Sequence, residues 1–287
     1  MADPKAMKRM FNIEATPIIP ITLADLSRKA QDMVGNMSIS GVQPKLSLHL
    51  NKPQGRLEPV AQGGEYILKP SQQVYPDMPE NENCCMDIAM ELGIDVPPHC
   101  LLPLQDGTLA YVVKRFDREG PEKIPTETFY QMLGKEDKYA VSIEEMAKKL
   151  KQISAVPGLD SQLFFERVVL DFLIGNGDGH SKNYSIISKD DSVRLAPAYD
   201  LVCTKLAIPN DSDLALPLHG KKNKIDRGDF MALADDLEIP ERVRFARFEN
   251  RLGRIQHLVK ISSLPMTAQE RLTTVIQSRY ARLGLDA

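Results

Sequence analysis

Three side chains, Asp178, Asn183 and Asp200, have the types and the spacing that phosphoryl transfer needs. The first two sit in Gly175-Asn176-Gly177-Asp178-Gly179-His180-Ser181-Lys182-Asn183, which follows an apolar segment, Leu163 to Ile174, and precedes a strand-like stretch, Tyr184 to Ile187. Asp200 comes seventeen residues after Asn183, a hairpin-length gap, in Ala196-Pro197-Ala198-Tyr199-Asp200. An Asp, an Asn five positions on and a second Asp beyond is the order a kinase uses. The loose transition state of phosphoryl transfer asks for positioning and charge neutralisation, not covalent help. Mg²⁺ prefers octahedral oxygen donors and takes one or two from protein, the rest from phosphates and water. Asn183 and Asp200 supply such a pair. Asp178, kept off the metal, is free to face an acceptor hydroxyl and take its proton. Asn-Gly and Asp-Gly also make ordinary turns. The complete Asp, Asn, Asp order is what speaks for a site.

These residues need elements to hold them. The 287 residues, 43% hydrophobic, suffice for one large core or two smaller ones. The first ~115 residues read as strand and turn with one helix. Leu46 to Leu50 alternates as a half-buried strand, Tyr66 to Lys69 is a strand stopped by Pro70, and Leu109 to Phe116 is another. Asn83 to Leu92 places Cys85, Ile88, Ala89 and Leu92 on one helical face, ended by Gly93. The polar stretch Asp117 to Pro125 suits a connection between two lobes. Beyond it helices dominate. Ser142 and Glu145 form a capping box for Ile143 to Ile153, and Asp160 or Ser161 caps the helix leading into the Asp178 loop. Helical periodicity returns in Arg242 to Ile261 and in Thr267 to Leu283, the latter capped by Thr267 with Glu270. A strand-rich half followed by a helix-rich half predicts an α+β, bilobal protein, with an N-lobe over 1–116, a C-lobe over 117–287 and a nucleotide in the cleft between.

A kinase also needs a strand Lys for the ATP α- and β-phosphates, usually fixed by a helix Glu. Lys69, at a strand end, and Glu82, just before the helix, are the candidates. The segment Gly35 to Lys45 suits a phosphate-covering loop, although it has neither G-x-G-x-x-G nor a Walker pattern. It carries Ser38 and Ser40, where a phosphate would add almost two negative charges beside the ATP phosphates.

Other classes fall away. A net charge of −3 gives no global positive field for nucleic acid. The basic clusters Lys221-Lys222-Asn223-Lys224 and Arg242 to Arg254 read as a solvated loop and a helix face. Cys84, Cys85, Cys100 and Cys203 lack metal-ligand spacing, and the adjacent pair suits a reduced compartment. The polar start, Met1 to Lys5, is no signal peptide, and the richest apolar run, Val168 to Ile174, is too short for a bilayer. The expectation is a soluble cytoplasmic protein with no membrane contact.

Taken together, Ser38-Ile39-Ser40-Gly41-Val42-Gln43-Pro44-Lys45, Ile67-Leu68-Lys69-Pro70, Asn81-Glu82, Val113-Lys114-Arg115-Phe116-Asp117-Arg118, Gly177 to Asn183 and Pro197-Ala198-Tyr199-Asp200 resemble the HipA-like Ser/Thr kinases, toxins of bacterial toxin–antitoxin modules. The resemblance runs from about Ser38 to about Leu201 and implies a protein-kinase-like fold that uses ATP and Mg²⁺. It implies Asp178 as the catalytic Asp, Asn183 and Asp200 as Mg²⁺ ligands, and Lys69 as an ATP contact, with His180 and Lys182 near the transferred phosphate. Lys114, Arg115 and Phe116 would form the hinge, pairing with adenine through backbone groups. Gly41, Val42 and Gln43 belong to the family's Gly-rich loop, and Ser38 and Ser40 fall where its inhibitory autophosphorylation occurs. Long HipA proteins carry an extra N-terminal subdomain ahead of that loop, whereas 37 residues precede Ser38 here. That departure resembles the HipT branch, whose partners are a small HipS antitoxin and a DNA-binding HipB, DNA being met only through HipB. The family's target is an aminoacyl-tRNA synthetase, tryptophanyl for the HipT type and glutamyl for long HipA. The alternatives are a small-molecule kinase, which shares the Asp-x₄-Asn spacing, and a catalytically silent nucleotide-binding regulatory partner.

Overall fold

The computed structural model describes residues 4–13, 15–26, 28, 45–75, 77–120 and 122–285. They fall into two compact units, Met1–Asn83 with Pro97–Glu122 and Cys84–Val96 with Lys123–Ala287. The division differs from a single cut after 116, because Cys84–Val96 groups with the later residues.

The first unit is built on a five-stranded antiparallel sheet of β1 (Leu46–Asn51), β2 (Arg56–Pro59), β3 (Tyr66–Pro70), β4 (His99–Pro103) and β5 (Leu109–Lys114), in the order β2-β1-β3-β5-β4. Period-two alternation turns Leu46, Leu48 and Leu50 of β1 inward, where they join Leu57, Leu68, Ala110 and Val112 in one apolar cluster. Helix α1 (Pro4–Phe11) adds Met7, Met10 and Phe11 to that cluster, and the Tyr66 hydroxyl donates to Met10 O at 3.1 Å. The sequence reading had no helix there. Eight residues are too few to show a decisive period, and tertiary burial decides the matter. Helix α2 (Met78–Glu91) begins five residues before the expected Asn83. Pro79 suits a first helical turn, where no amide hydrogen is needed, so Glu82 lies within the helix and not ahead of it. Cys85, Ile88, Ala89 and Leu92 are buried as the periodicity predicts.

After the two-residue strands β6 (Arg118–Glu119) and β7 (Glu122–Lys123), the second unit contains a small antiparallel sheet. Its strands are β8 (Thr126–Thr128), β9 (Ser185–Lys189) and β10 (Ser192–Leu195), ordered β10-β9-β8. The helices are α3 (Phe129–Met132), α4 (Ile143–Ile153), α5 (Pro157–Ile174), α6 (Arg227–Asp236), α7 (Leu252–Ile261) and α8 (Met266–Leu283). Apolar residues on every side make α5 the centre of this core, with Phe164, Phe165, Val168, Val169, Leu170 and Phe172 inaccessible to solvent. The Ser142–Glu145 capping box forms with both of its bonds, 3.2 Å and 2.9 Å.

Three expected helix ends are corrected. Asp160 and Ser161 do not cap α5, because Pro157 starts it earlier with a preset φ. Asp160 instead accepts from Ser154 Oγ at 2.6 Å, Leu195 N at 3.0 Å and Arg194 Nε at 3.1 Å, joining α5 to β10. The periodic run Arg242 to Ile261 is interrupted: a 3₁₀ turn at Glu241–Val243 precedes α7, and Asn250 between them takes a left-handed φ of 59°. Helix α8 starts at Met266 after Pro265 and has no side-chain cap from Thr267.

A buried ion cluster ties α8 to the core. Asp213 receives Arg279 Nη2 at 2.8 Å and Arg282 Nη1 at 2.6 Å, while Arg279 Nη1 donates to Phe172 O at the end of α5. Burial pushes the Asp213 carboxyl up, but the two guanidinium groups outweigh it and hold its pKa below the ordinary value. A carboxyl depressed on folding contributes stability that is full above its unfolded pKa, ~4, and is lost as pH falls through the lower folded value. Asp213→Asn is therefore expected to be clearly less stable than wild type at pH 7, with the gap narrowing below about pH 4. Urea melts from pH 3 to 7 measure this, and a gap independent of pH would count against it.

Candidate active site

Helix α5 ends at Gly175, whose φ of 78° turns the chain left-handed into the loop of the sequence motif. Asp171, one turn before that end, anchors the loop on both sides: Asn176 Nδ2 donates to Oδ1 at 2.7 Å and the Tyr184 hydroxyl to Oδ2. Burial raises the Asp171 pKa, opposed by Arg167 and these two donors. Gly177 and Gly179 are demanded by close approach. A Cβ at Gly177 would stand 2.1 Å from Asp211 Oδ2, and one at Gly179 would stand 2.9 Å from Asp171 Oδ2. The loop then folds on itself through His180 N to Asp178 O, 2.7 Å, and Asn183 N to His180 O, 2.8 Å.

This folding leaves the Asp178 carboxylate half exposed, with its side chain at 48%. Its Oδ1 accepts the Tyr139 hydroxyl at 2.6 Å and lies 3.8 Å from Lys138 Nζ and 3.7 Å from His180 Nε2. Among the described residues Oδ2 has no hydrogen-bond donor, so one oxygen is anchored and the other is not. His180 is buried beside it, and burial, helped by Lys138 and opposed by Asp178, lowers its pKa, which favours the neutral imidazole. Lys182 is exposed, its Nζ 4.2 Å from the centre of the Tyr130 ring.

Asn183 and Asp200 are held through Arg167. This guanidinium, buried within α5, donates to Asn183 O and to Tyr199 O at 3.1 Å, and it stacks on the Tyr184 ring at 4.3 Å. One cation thus fixes the backbone at the first metal-type residue and next to the second. Asp200 has a φ of 56°, uncommon for a residue with a side chain and a conformation that clusters at functional sites. The donor chemistry fits Mg²⁺: an amide and a carboxylate supply hard oxygens, and the Asn183 side chain, 7% exposed, makes no hydrogen bond among the described residues. Among those residues no three His, Cys, Asp or Glu side chains gather into a metal cluster. Two oxygen donors of this kind suit a cation that phosphates and water would complete.

In the first unit, Lys69 projects from β3, opposite Tyr111 of β5, and reaches Glu82 Oε1 of α2 at 2.5 Å. Both side chains are at most 5% exposed. Removing one member of a buried pair costs more than removing both. Lys69→Met is accordingly expected to lose about 3 kcal/mol of stability, part of it recovered in Lys69→Met/Glu82→Gln. Urea melts of the single and double variants test this, and strict additivity would refute it. Lys114 N and Arg115 N are already spent on Pro98 O and Glu65 O, both at 2.8 Å. The Arg115 guanidinium forks onto Asp117 at 2.8 Å and 2.7 Å. The Lys114 and Arg115 amides of the expected hinge thus have partners within this unit. Ser38, Ser40, Gly41, Val42 and Gln43 lie outside the described residues.

The sequence reading missed Tyr139, Arg167, Asp171 and Thr204, whose Oγ1 accepts Gly177 N at 2.9 Å. Arg167 and Asp171 did leave a signal, since charges inside an apolar helical run must be paired. Tyr139 left none.

Residues 37–262 match the HipA-like C-terminal domain family. Relatives include a Haemophilus influenzae protein provisionally named a kinase, 35% identical over 72% of this chain and 65% of its own length. Two Sinorhizobium fredii proteins with provisional kinase names, Y4dM and Y4mE, are 32% and 33% identical over 81% and 65% of this chain. The chain spans 62% and 46% of their lengths. Among solved structures, a chain from the Shewanella oneidensis MR-1 toxin–antitoxin complex of HipA, HipB and operator DNA matches with TM-score 0.74 and 21% identity, covering 94% of this chain and 73% of that one. The Helicobacter pylori proinflammatory kinase CtkA matches with TM-score 0.60 and 15% identity, over 93% and 95%. At such identities these two matches establish the fold, which is protein-kinase-like. With the family match spanning most of its length, the chain belongs to the HipA-like C-terminal domain family.

Proposed function

We propose that this chain is an ATP- and Mg²⁺-dependent Ser/Thr protein kinase acting as the toxin of a toxin–antitoxin module. The observation that carries the reading is the Asp178 carboxylate, anchored through Oδ1 and open at Oδ2, in the same loop as Asn183 and linked through Arg167 to the backbone beside Asp200. In this reading Asp178 Oδ2 takes the proton of a seryl or threonyl hydroxyl as its oxygen bonds to the γ-phosphorus. The bond from that phosphorus to the bridging oxygen breaks and ADP leaves. Asn183 and Asp200 hold Mg²⁺, which neutralises charge on the phosphates. Lys69, braced by Glu82, contacts the α- and β-phosphates, and His180 and Lys182 line the transferred group.

The acceptor in this reading is an aminoacyl-tRNA synthetase, the tryptophanyl enzyme ahead of the glutamyl one. The partners are a HipS-like antitoxin and a HipB-like protein through which DNA is met. Family membership supports the partners, as does the presence of HipB and operator DNA in the Shewanella complex. Phosphate on Ser38 or Ser40 would repel ATP phosphates and so restrain the enzyme. Radiolabelled ATP with Mg²⁺ and each purified synthetase, followed by phosphopeptide mass spectrometry, tests the proposal. Phosphoserine on a synthetase and on Ser38 or Ser40 is the expected result. ATP turnover with no labelled protein would favour a small-molecule kinase, and no turnover at all would favour a silent nucleotide-binding partner.

A further inference from the structure

The turn between α3 and α4 is clamped by the catalytic loop. Ser181, wholly buried, donates its Oγ to Lys138 O at 2.7 Å and its amide to the same oxygen at 3.3 Å. Tyr139 N is fixed in turn by Asp137 Oδ1 at 3.0 Å. With its backbone held on both sides, Tyr139 packs edge-on against His180, ring centroids 5.4 Å apart. Lys138 Nζ and Lys222 Nζ lie 4.9 Å and 5.6 Å from the centre of its ring. The hydroxyl then has one direction to point, and it meets Asp178 Oδ1 at 2.6 Å.

Lys138 and His180 stand beyond hydrogen-bond distance of that carboxylate, at 3.8 Å and 3.7 Å. Among the described residues Tyr139 is therefore the one side chain that donates a hydrogen bond to Asp178. A half-exposed carboxylate without such a bond samples several rotamers, and most of them aim neither oxygen at an acceptor. Burial and the bond to Asp178 push the Tyr139 hydroxyl well above its ordinary pKa, so it stays protonated and donating at any working pH.

We propose that Tyr139 is the positioning residue of the catalytic base: its hydroxyl holds Asp178 Oδ1 so that Oδ2 faces the acceptor. The inference rests on the kinase reading given above, and its test separates the two. Tyr139→Phe keeps the ring and removes only the donor. Transfer from ATP·Mg²⁺ is followed with the chain itself and the two synthetases as acceptors. The variant is expected to lose about tenfold in kcat, as suits one hydrogen bond to a charged group, with KM for ATP within about twofold of wild type and an unchanged melting temperature. In a crystal structure of the variant, the Asp178 carboxylate is expected to leave its wild-type orientation. A wild-type kcat, or an Asp178 side chain that has not moved, overturns the inference. If the wild-type chain labels neither itself nor a synthetase, the kinase reading falls, and the orientation of Asp178 in the variant still decides whether Tyr139 holds it.

Discussion

Asp178→Asn is expected to lower kcat for phosphoryl transfer about a thousandfold while leaving ATP affinity within about twofold. Asn has the shape of Asp and can still accept the Tyr139 hydroxyl at its Oδ1, so the loop keeps its geometry. What it cannot do is take a proton. Because the Asp178 side chain is 48% exposed and bears no packing load, stability should change by less than about 0.5 kcal/mol. Transfer of labelled phosphate gives the rate, titration with a fluorescent ATP analogue gives the affinity, and a thermal melt checks the fold. A variant that transfers phosphate at even a tenth of the wild-type rate would remove Asp178 from the role of base.

Arg167→Met should act on stability first and on activity through it. The loss strands Asn183 O and Tyr199 O in a buried environment and deprives Asp171 of its nearby positive charge. Breaking such a buried charged network typically costs about 3–5 kcal/mol, and that magnitude is expected in urea unfolding. Lysine should not rescue it, because a single ammonium cannot span two carbonyls and stack flat on Tyr184 at the same time. Any folded fraction should also need more Mg²⁺ for transfer, since the backbone beside both oxygen donors is no longer tied to one group. A wild-type urea midpoint for Arg167→Met would show that the guanidinium is not the brace described here.

Elements whose burial repeats with the backbone period were legible without coordinates. Strand β1 is an example, because its inward leucines alternate, and so is α4, whose Ser142 and Glu145 satisfy its first amides locally. The errors arose where local preference is weak and distant contacts decide. Asp160 is a plausible cap by type, yet Pro157 starts α5 sooner and Arg194 claims the carboxylate. Arg242 to Ile261 keeps a helical period that the left-handed Asn250 interrupts. Helix α1 is too short to announce itself and is held by an apolar cluster drawn mostly from residues beyond 45.

The candidate site divides the same way. Asp178, Asn183 and Asp200 stand out as candidates from order and spacing, because the proposed base and metal donor, five residues apart, would share one loop and their chemistry would constrain residue type. Lys69 was readable as a strand cation and Glu82 as an anion just ahead of a helix, and only the fold put Glu82 inside that helix, 2.5 Å from Lys69. Tyr139 precedes Asp178 by 39 residues, and nothing in its neighbours marks it. Its hydroxyl reaches the carboxylate because Ser181 clamps the α3–α4 turn, a contact between distant segments that no local pattern encodes. Residue chemistry and spacing thus determined which groups are the candidates. Tertiary packing decided which oxygen of Asp178 is held and which is left open, because orientation is set by side chains brought together from afar.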